Sequence, residues 1–290
     1  MPLFDFDEGV VEETGAMAEP HRIRSRLPTD PATKTVLAVA SLLYTCIVTS
    51  FSHGLLLVCA SAQLAQSQPR YDIFRTPTAI EIDGKLDEPA WKQAPSAENF
   101  HFNWWKDGAK EQTVARLLWD DENLYVSFYC HDKNISAEVV ERHGPVSRDD
   151  SVEVFLSPNP SKIRNYYGFE INVIGTMLNF LRADWYQGPF HWEPEGVRYR
   201  TSFHGLPVKH ESPKDDHWIL ELAIPFKNFE KDAPNTPPRD GDSWRLNLNR
   251  AGGKTNAQFS TWSPVSTEKP NFHVPEAFGA VRFVNRPPRK

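Results

Sequence analysis

From Thr113 onward the chain falls into short runs in which apolar and polar side chains alternate, punctuated by Gly, Pro, Asn and Asp. Alternation with a period of two is the mark of a strand with one buried face, and hardly any stretch carries the longer apolar period of a helix. The clearest runs cover residues 113–119, 124–131, 151–156, 167–174, 177–182, 197–204, 218–224, 243–250 and 279–284. Asp120-Asp121-Glu122-Asn123 is turn chemistry, so the first two runs are expected to form a hairpin. One short helical turn is expected over 88–92, where Pro89 suits a first helical position. Strands without crossover helices predict an all-β fold: an antiparallel β-sandwich of the jelly-roll kind, its sheets packed face to face or closed on themselves.

The alternation also sorts the faces. Leu124, Val126, Phe128 and Cys130 share one side of their run, as do Val152, Val154 and Leu156, then Phe169, Ile171 and Val173, then Leu220, Leu222 and Ile224, then Trp244, Leu246 and Leu248. These are the predicted core. The opposite sides carry Glu153, Glu170, Asn172, Glu221, Arg245, Asn247 and Asn249. If those strands are neighbours, their outer face is expected to be one open field of amide, carboxylate and guanidinium groups.

The leading segment differs in kind. Residues 36–60 form an apolar run without formal charge, preceded by Arg22, Arg24, Arg26 and Lys34 and followed by Ala60-Ser61-Ala62. That order predicts a secretory signal helix, or a signal anchor if it is not cut, and places the globular part in the periplasm or outside the cell. The expected organisation is an extension and signal over 1–62, a polar linker over 63–72 and one domain over 73–285. Cys46 and Cys59 fall in the signal, so Cys130 is alone in the domain and neither an internal disulfide nor a cysteine metal cluster can form there. The whole chain has a formal net charge of -6. The leading 62 residues hold four of its Lys and Arg and seven of its Asp and Glu, leaving 28 against 31, or -3, for the rest. A weakly acidic surface does not suit nucleic acid, and nothing beyond the leading segment suggests a membrane.

Sugar hydroxyls are met by Asn, Asp, Glu and Arg, while the apolar face of a pyranose stacks on an aromatic ring. Both ingredients are present. Trp104-Trp105, Trp185-Tyr186, Phe190-His191-Trp192, Trp262 and Phe272 all lie in segments expected to be loops. Glu153 and Glu170 are weak candidates for the acid and base of a glycosidase, an alternative class of function. Asp149 and Asp150 are weak candidates for a structural calcium, although turn acids of this kind are commonly just solvated. No histidine pair has ligand spacing, so no catalytic metal is expected. No G-x-S-x-G elbow, phosphate loop or dinucleotide fingerprint occurs.

Four ordered segments carry a family resemblance: residues 82–91 (IDGKLDEPAW), residues 117–126 (LLWDDENLYV), residues 149–155 (DDSVEVF), and Trp262-Ser263-Pro264 with Phe278-Gly279. Together they resemble the carbohydrate-binding modules of family nine, across roughly residues 73–284. The resemblance implies a DOMON-like β-sandwich with Trp91 plugging one end, a stand-alone secreted member, and affinity for polysaccharides or oligosaccharides of the xylan or cellulose type. It also implies a sugar clamped between two tryptophans with help from a Glu and an Arg. Glu153 stands at the Glu and Phe272 near the second Trp, but Ser147 stands at the first Trp and Glu170 at the Arg. Trp185 or Trp192 is a candidate replacement ring, and the expected ligand-binding set is Glu153, Glu170, Asn172, Trp185, Trp192, Asn247, Asn249, Trp262 and Phe272. No cofactor is expected. A DOMON-like haem or redox module is the remaining alternative, for which Met177 with a histidine would be the axial pair.

Overall fold

The computed structural model describes residues 68–183, 192–203 and 216–288, all within the unit Gln66–Lys290. The expected signal helix and extension lie outside the described residues, as does Trp185. In chain order the elements are β1 (Arg70–Arg75), α1 (Pro89–Gln93), β2 (Thr113–Trp119), β3 (Asn123–His131), β4 (Ser151–Ser157), β5 (Tyr166–Asn172), β6 (Met177–Arg182), β7 (Arg198–Phe203), β8 (His217–Pro225), β9 (Ser243–Gly252), β10 (Gln258–Thr261) and β11 (Gly279–Val284).

The strands form one sheet in the order β6-β5-β4-β9-β11-β1-β2-β3-β8-β7, with β10 added to β9. The sheet curls so that both halves deliver alternate side chains to one core. Every residue predicted for the core from alternation is in it, from Leu124 through Leu248. At about 1.5–3 kcal/mol for each large apolar side chain buried, this core is the main source of stability.

Two strands were not foreseen in the alternating runs. β1 begins at Arg70, inside the segment expected to be linker, and it departs from the antiparallel expectation by pairing in parallel with both β11 and β2. The remaining ladders are antiparallel. Its physical signature is short: Tyr71 and Ile73 face the core between Arg70, Asp72 and Phe74. β10 has four residues, too few to show a period.

Trp91 does not plug the end of the sandwich. With Ile80, Ala90 and Ala94 it packs onto Leu118, Tyr125 and Ala223, which lie on the outer side of β2, β3 and β8. Its Nε1 donates to Glu221 Oε1 at 2.8 Å, and Glu221 Oε2 accepts the backbone N–H groups of Asp83 (3.1 Å) and Gly84 (2.8 Å). Gly84 has φ of 86°, a backbone conformation that a residue with a Cβ adopts only under strain. Glu221, expected on an open face, is thus a fully buried clamp that fastens the segment before α1 to the sheet. Glu221→Ala leaves three donors without a partner and is expected to lower stability by about 3 kcal/mol, read from the urea midpoint; Glu221→Gln should cost less.

Candidate functional site

Strands β5, β4, β9 and β10 are adjacent, and their register sets a single polar rung across the outer face. Glu153 is directly opposite Glu170 on one side and Asn249 on the other, and Asn249 is opposite Thr261. Side chains paired in this way have Cβ atoms about 4.5–5.5 Å apart, so the two carboxylates are neighbours. Asn249 Nδ2 lies 3.5 Å from Glu153 Oε2. Asn249 Oδ1 and Thr261 Oγ1 are buried with no hydrogen-bond partner among the described residues.

The expected open field is closed. Glu153 is 2% exposed and Glu170 7%. The reason is a second aromatic cluster, on the outer side of the same strands: Phe155, Tyr166, Phe180, Phe272 and Phe278, with Trp104, Leu178 and Phe259 packed against it. His273 stacks on Phe155 with ring centroids 4.9 Å apart, and its Nδ1 is 3.0 Å from the Tyr166 hydroxyl. Phe272 meets Phe259 at 6.0 Å and Trp104 at 5.8 Å. Phe155 and Phe259 belong to the rungs on either side of the Glu153–Asn249 rung, so the consecutive residues Phe272 and His273 bridge over it. The cover is held by Trp104 Nε1 donating to Thr267 O at 2.8 Å and by Asn103 donating to Val265 O.

Burial, and then the charge of Glu170, pushes the Glu153 carboxyl well above the ordinary carboxylate range. Burial also raises Glu170, to about 7, against the pull of Arg182 nearby. The pair therefore retains a proton near neutrality. His273 is the converse: burial, with Arg182 adding, lowers it to about 3, so its ring is neutral. Both carboxylates project from one sheet face.

The other predicted site residues are placed differently. Asn172 is spent on structure: its Nδ2 donates to Val139 O and Asp149 Oδ2, and its Oδ1 accepts from Thr176 N. Asn247 is spent likewise on Ser263 and Leu248. Trp262 belongs to the main core, edge-on to Tyr71, because β10 turns it inward. Trp192 packs on Tyr167 and Phe169, the core-facing side of β5, opposite Glu170, and so does not stand in for the missing clamp ring. Asp149 accepts the N–H groups of Glu138 and Val139, and Asp150 those of Ser136 and Gly253, so hydrogen-bond donors occupy the two carboxylates offered for calcium. Among the described residues no group of three His, Cys, Asp or Glu is arranged to hold a metal. Met177 is part of the main core, and the 360 Å³ hollow it borders has no histidine in its lining.

What alternation alone could have supplied, and did not, is the aromatic half of this face. Phe155 lies two residues from Glu153, and Phe180 and Arg182 alternate with Asn179, so the same period that exposes the glutamates places these rings beside them. Gly168 is their complement: it is opposite Phe180, whose ring occupies the space a Cβ would need.

The described residues thus form a β-sandwich with a buried polar rung framed by aromatic rings on one outer face. Residues 92–283 match the model of Carbohydrate-binding family 9, and the chain belongs to that family. It is similar to Endo-1,4-beta-xylanase C of Paenibacillus barcinonensis, at 24% identity over 74% of this chain and 17% of the xylanase. It is also similar to Exoglucanase XynX of Acetivibrio thermocellus, at 34% identity over 32% of this chain and 8% of that protein. The chain therefore spans less than a fifth of these relatives. Among solved structures, a putative carbohydrate-binding protein from Bacteroides uniformis ATCC 8492 matches with a TM-score of 0.63 and 23% identity, over 75% of this chain and 100% of that one. A family 9 carbohydrate-binding module from Caldicellulosiruptor kristjanssonii, solved with cellotriose, matches with a TM-score of 0.54 and 15% identity, over 75% and 95%. These likenesses establish the fold.

The retained proton has a consequence for stability. In the unfolded chain Glu170 ionises near its ordinary value of 4.5; in the folded chain it stays protonated to about 7. The folded state then binds more protons between those values, so this contribution is full below 4.5 and is lost as pH rises through about 7. Glu170→Gln is expected to flatten that fall, measured as thermal midpoints of parent and variant at about pH 5 and about pH 7.

Proposed function

We propose that the protein binds a polysaccharide or oligosaccharide of the xylan or cellulose type through the outer face of β5, β4, β9 and β10, without cleaving it. The observation that carries this reading is the rung Glu170–Glu153–Asn249–Thr261, in which Asn249 Oδ1 and Thr261 Oγ1 have no donor. Sugar hydroxyls are the donors that such a row lacks, and the pair Glu153 and Glu170 can accept or, while it holds its proton, donate. The aromatic frame of Phe272 and Trp104 supplies the surface for the apolar side of a pyranose.

Because Phe272 and His273 lie over the rung, hydroxyl contact requires that this segment move outward when the sugar enters. Family membership, the xylanase and exoglucanase names of the relatives and the cellotriose held by one structural neighbour support the choice of ligand class. The apolar leading segment with its preceding cations supports export as the setting in which such a polymer is met.

Calorimetric titration of the full chain with xylo- and cello-oligosaccharides, with reducing-sugar release followed in the same samples, tests the reading. Binding without release is expected. Trp104→Ala and Glu153→Gln should each weaken it about tenfold, the scale of one stacking or charged hydrogen-bond contact. Sugar release that disappears in Glu153→Gln and Glu170→Gln would instead mark a hydrolase, and no binding to any glycan would sink the proposal.

A further inference from the structure

The other half of the sheet carries a second concavity that shares no residue with the rung. A 660 Å³ hollow opens between the segment before α1, α1 itself and the outer sides of β2, β3 and β8. Its volume is within the range of about 300–1,000 Å³ that small-ligand sites occupy. Two chemical elements meet in its lining. The first is flat: the rings of Tyr129 and His217 stack with centroids 4.6 Å apart and planes 13° from parallel, beside Ile219. The second is cationic: Lys85, Lys92 and Arg116 line the hollow with the carboxylate of Asp87, while the carboxylate of Asp216 is taken up by the His217 ring. Lys85 is already bound to Asp83 at 2.6 Å, so Lys92 and Arg116 provide the excess.

Arg116 is the informative residue. Its rung runs Arg116–Ser127–Glu221–Arg200, so a carboxylate stands two strands away, yet Glu221 is committed to Trp91 and two backbone N–H groups. Among the described residues the Arg116 guanidinium makes one hydrogen bond, to Ser96 Oγ at 3.5 Å, and its Nε is buried without a partner. Ser127 Oγ, next to it on the rung, is also buried and unpartnered. An arginine fork with donors to spare beside a flat ring pair fits a ligand that has both a carboxylate and a broad apolar face.

We infer that this hollow is a second binding site, for an acidic sugar: a pyranose that carries a carboxylate, as a uronic acid does. The carboxylate lies against Arg116 and Lys92, and the ring lies against the Tyr129–His217 pair. A chain with both faces occupied would engage neutral and acidic units at separate places.

The test titrates the full chain with D-glucuronate, D-glucose and acetate. Glucuronate should bind at least about tenfold more tightly than glucose, the scale of one charge-assisted hydrogen bond, and acetate should not displace it. Arg116→Gln and Lys92→Gln should each abolish that preference while leaving the titration with neutral oligosaccharides unchanged, which separates this site from the rung. Lys92 is exposed, so its variant reports on the ligand even if Arg116→Gln perturbs folding. Equal affinity for glucose and glucuronate, displacement by acetate, or a preference that survives both substitutions would overturn the inference.

Discussion

Strand β1 contributes six residues, yet its two ladders join the halves of the sheet: on one side it runs parallel to β11 and on the other parallel to β2. The halves β6-β5-β4-β9-β11 and β2-β3-β8-β7 meet nowhere else along the strand order. Tyr71 and Ile73 enter the common core from this position, and the Tyr71 hydroxyl accepts the Leu117 N–H at 3.0 Å, tying β1 to the next strand by a side chain as well. Across this join the two halves turn their apolar faces toward one common core. Everything on the outer faces, the rung on one half and the hollow on the other, inherits its position from that closure.

Closing one core leaves each half with an outer face, and the two are finished by different means. On the half with β2, β3 and β8 the segment around α1 packs over part of the outer side and is secured by Glu221, leaving the hollow uncovered. On the half with β5, β4 and β9 the segment after β10 crosses the strands and packs a second aromatic cluster onto them. Two glutamates are thereby taken out of water side by side. Burying two like charges is costly, and the structure meets the cost by retaining a proton rather than by supplying a full counter-ion, since Arg182 favours the ionised form of Glu170 without restoring its ordinary acidity.

The core was legible because alternation is a local property: each strand shows its buried side without knowledge of its neighbour. Cross-strand chemistry was not, because register depends on turns and ladders far apart in sequence. The alternation told that Glu153, Glu170 and Asn249 point outward, and the structure adds that they form one rung and that it is covered. Asn172 and Asn247 have the same sequence appearance as Asn249, but they are adjacent to loops whose backbone groups consume both ends of the amide. Trp262 follows a four-residue strand too short to reveal its facing, and Trp192 is on the core side of an edge for which the sequence shows no partner. That Arg116, Tyr129 and His217 share one hollow with α1 was equally invisible, since its lining is drawn from residues far apart in the sequence.

The difference between the two faces is one of hydrogen-bond bookkeeping rather than of composition. On the rung, among the described residues, Asn249 Oδ1 is an unpartnered acceptor and the unpartnered Thr261 hydroxyl can act either way, beside a carboxyl pair that holds more lone pairs than protons. In the hollow the surplus is of donors, from Arg116, with a hydroxyl at Ser127 that can act either way. A neutral sugar offers many hydroxyl donors and suits the first; a carboxylate offers only acceptors and suits the second. Leaving a buried polar group unmatched is costly, so the free acceptor at Asn249 and the free donor at Arg116 suit different ligand chemistry.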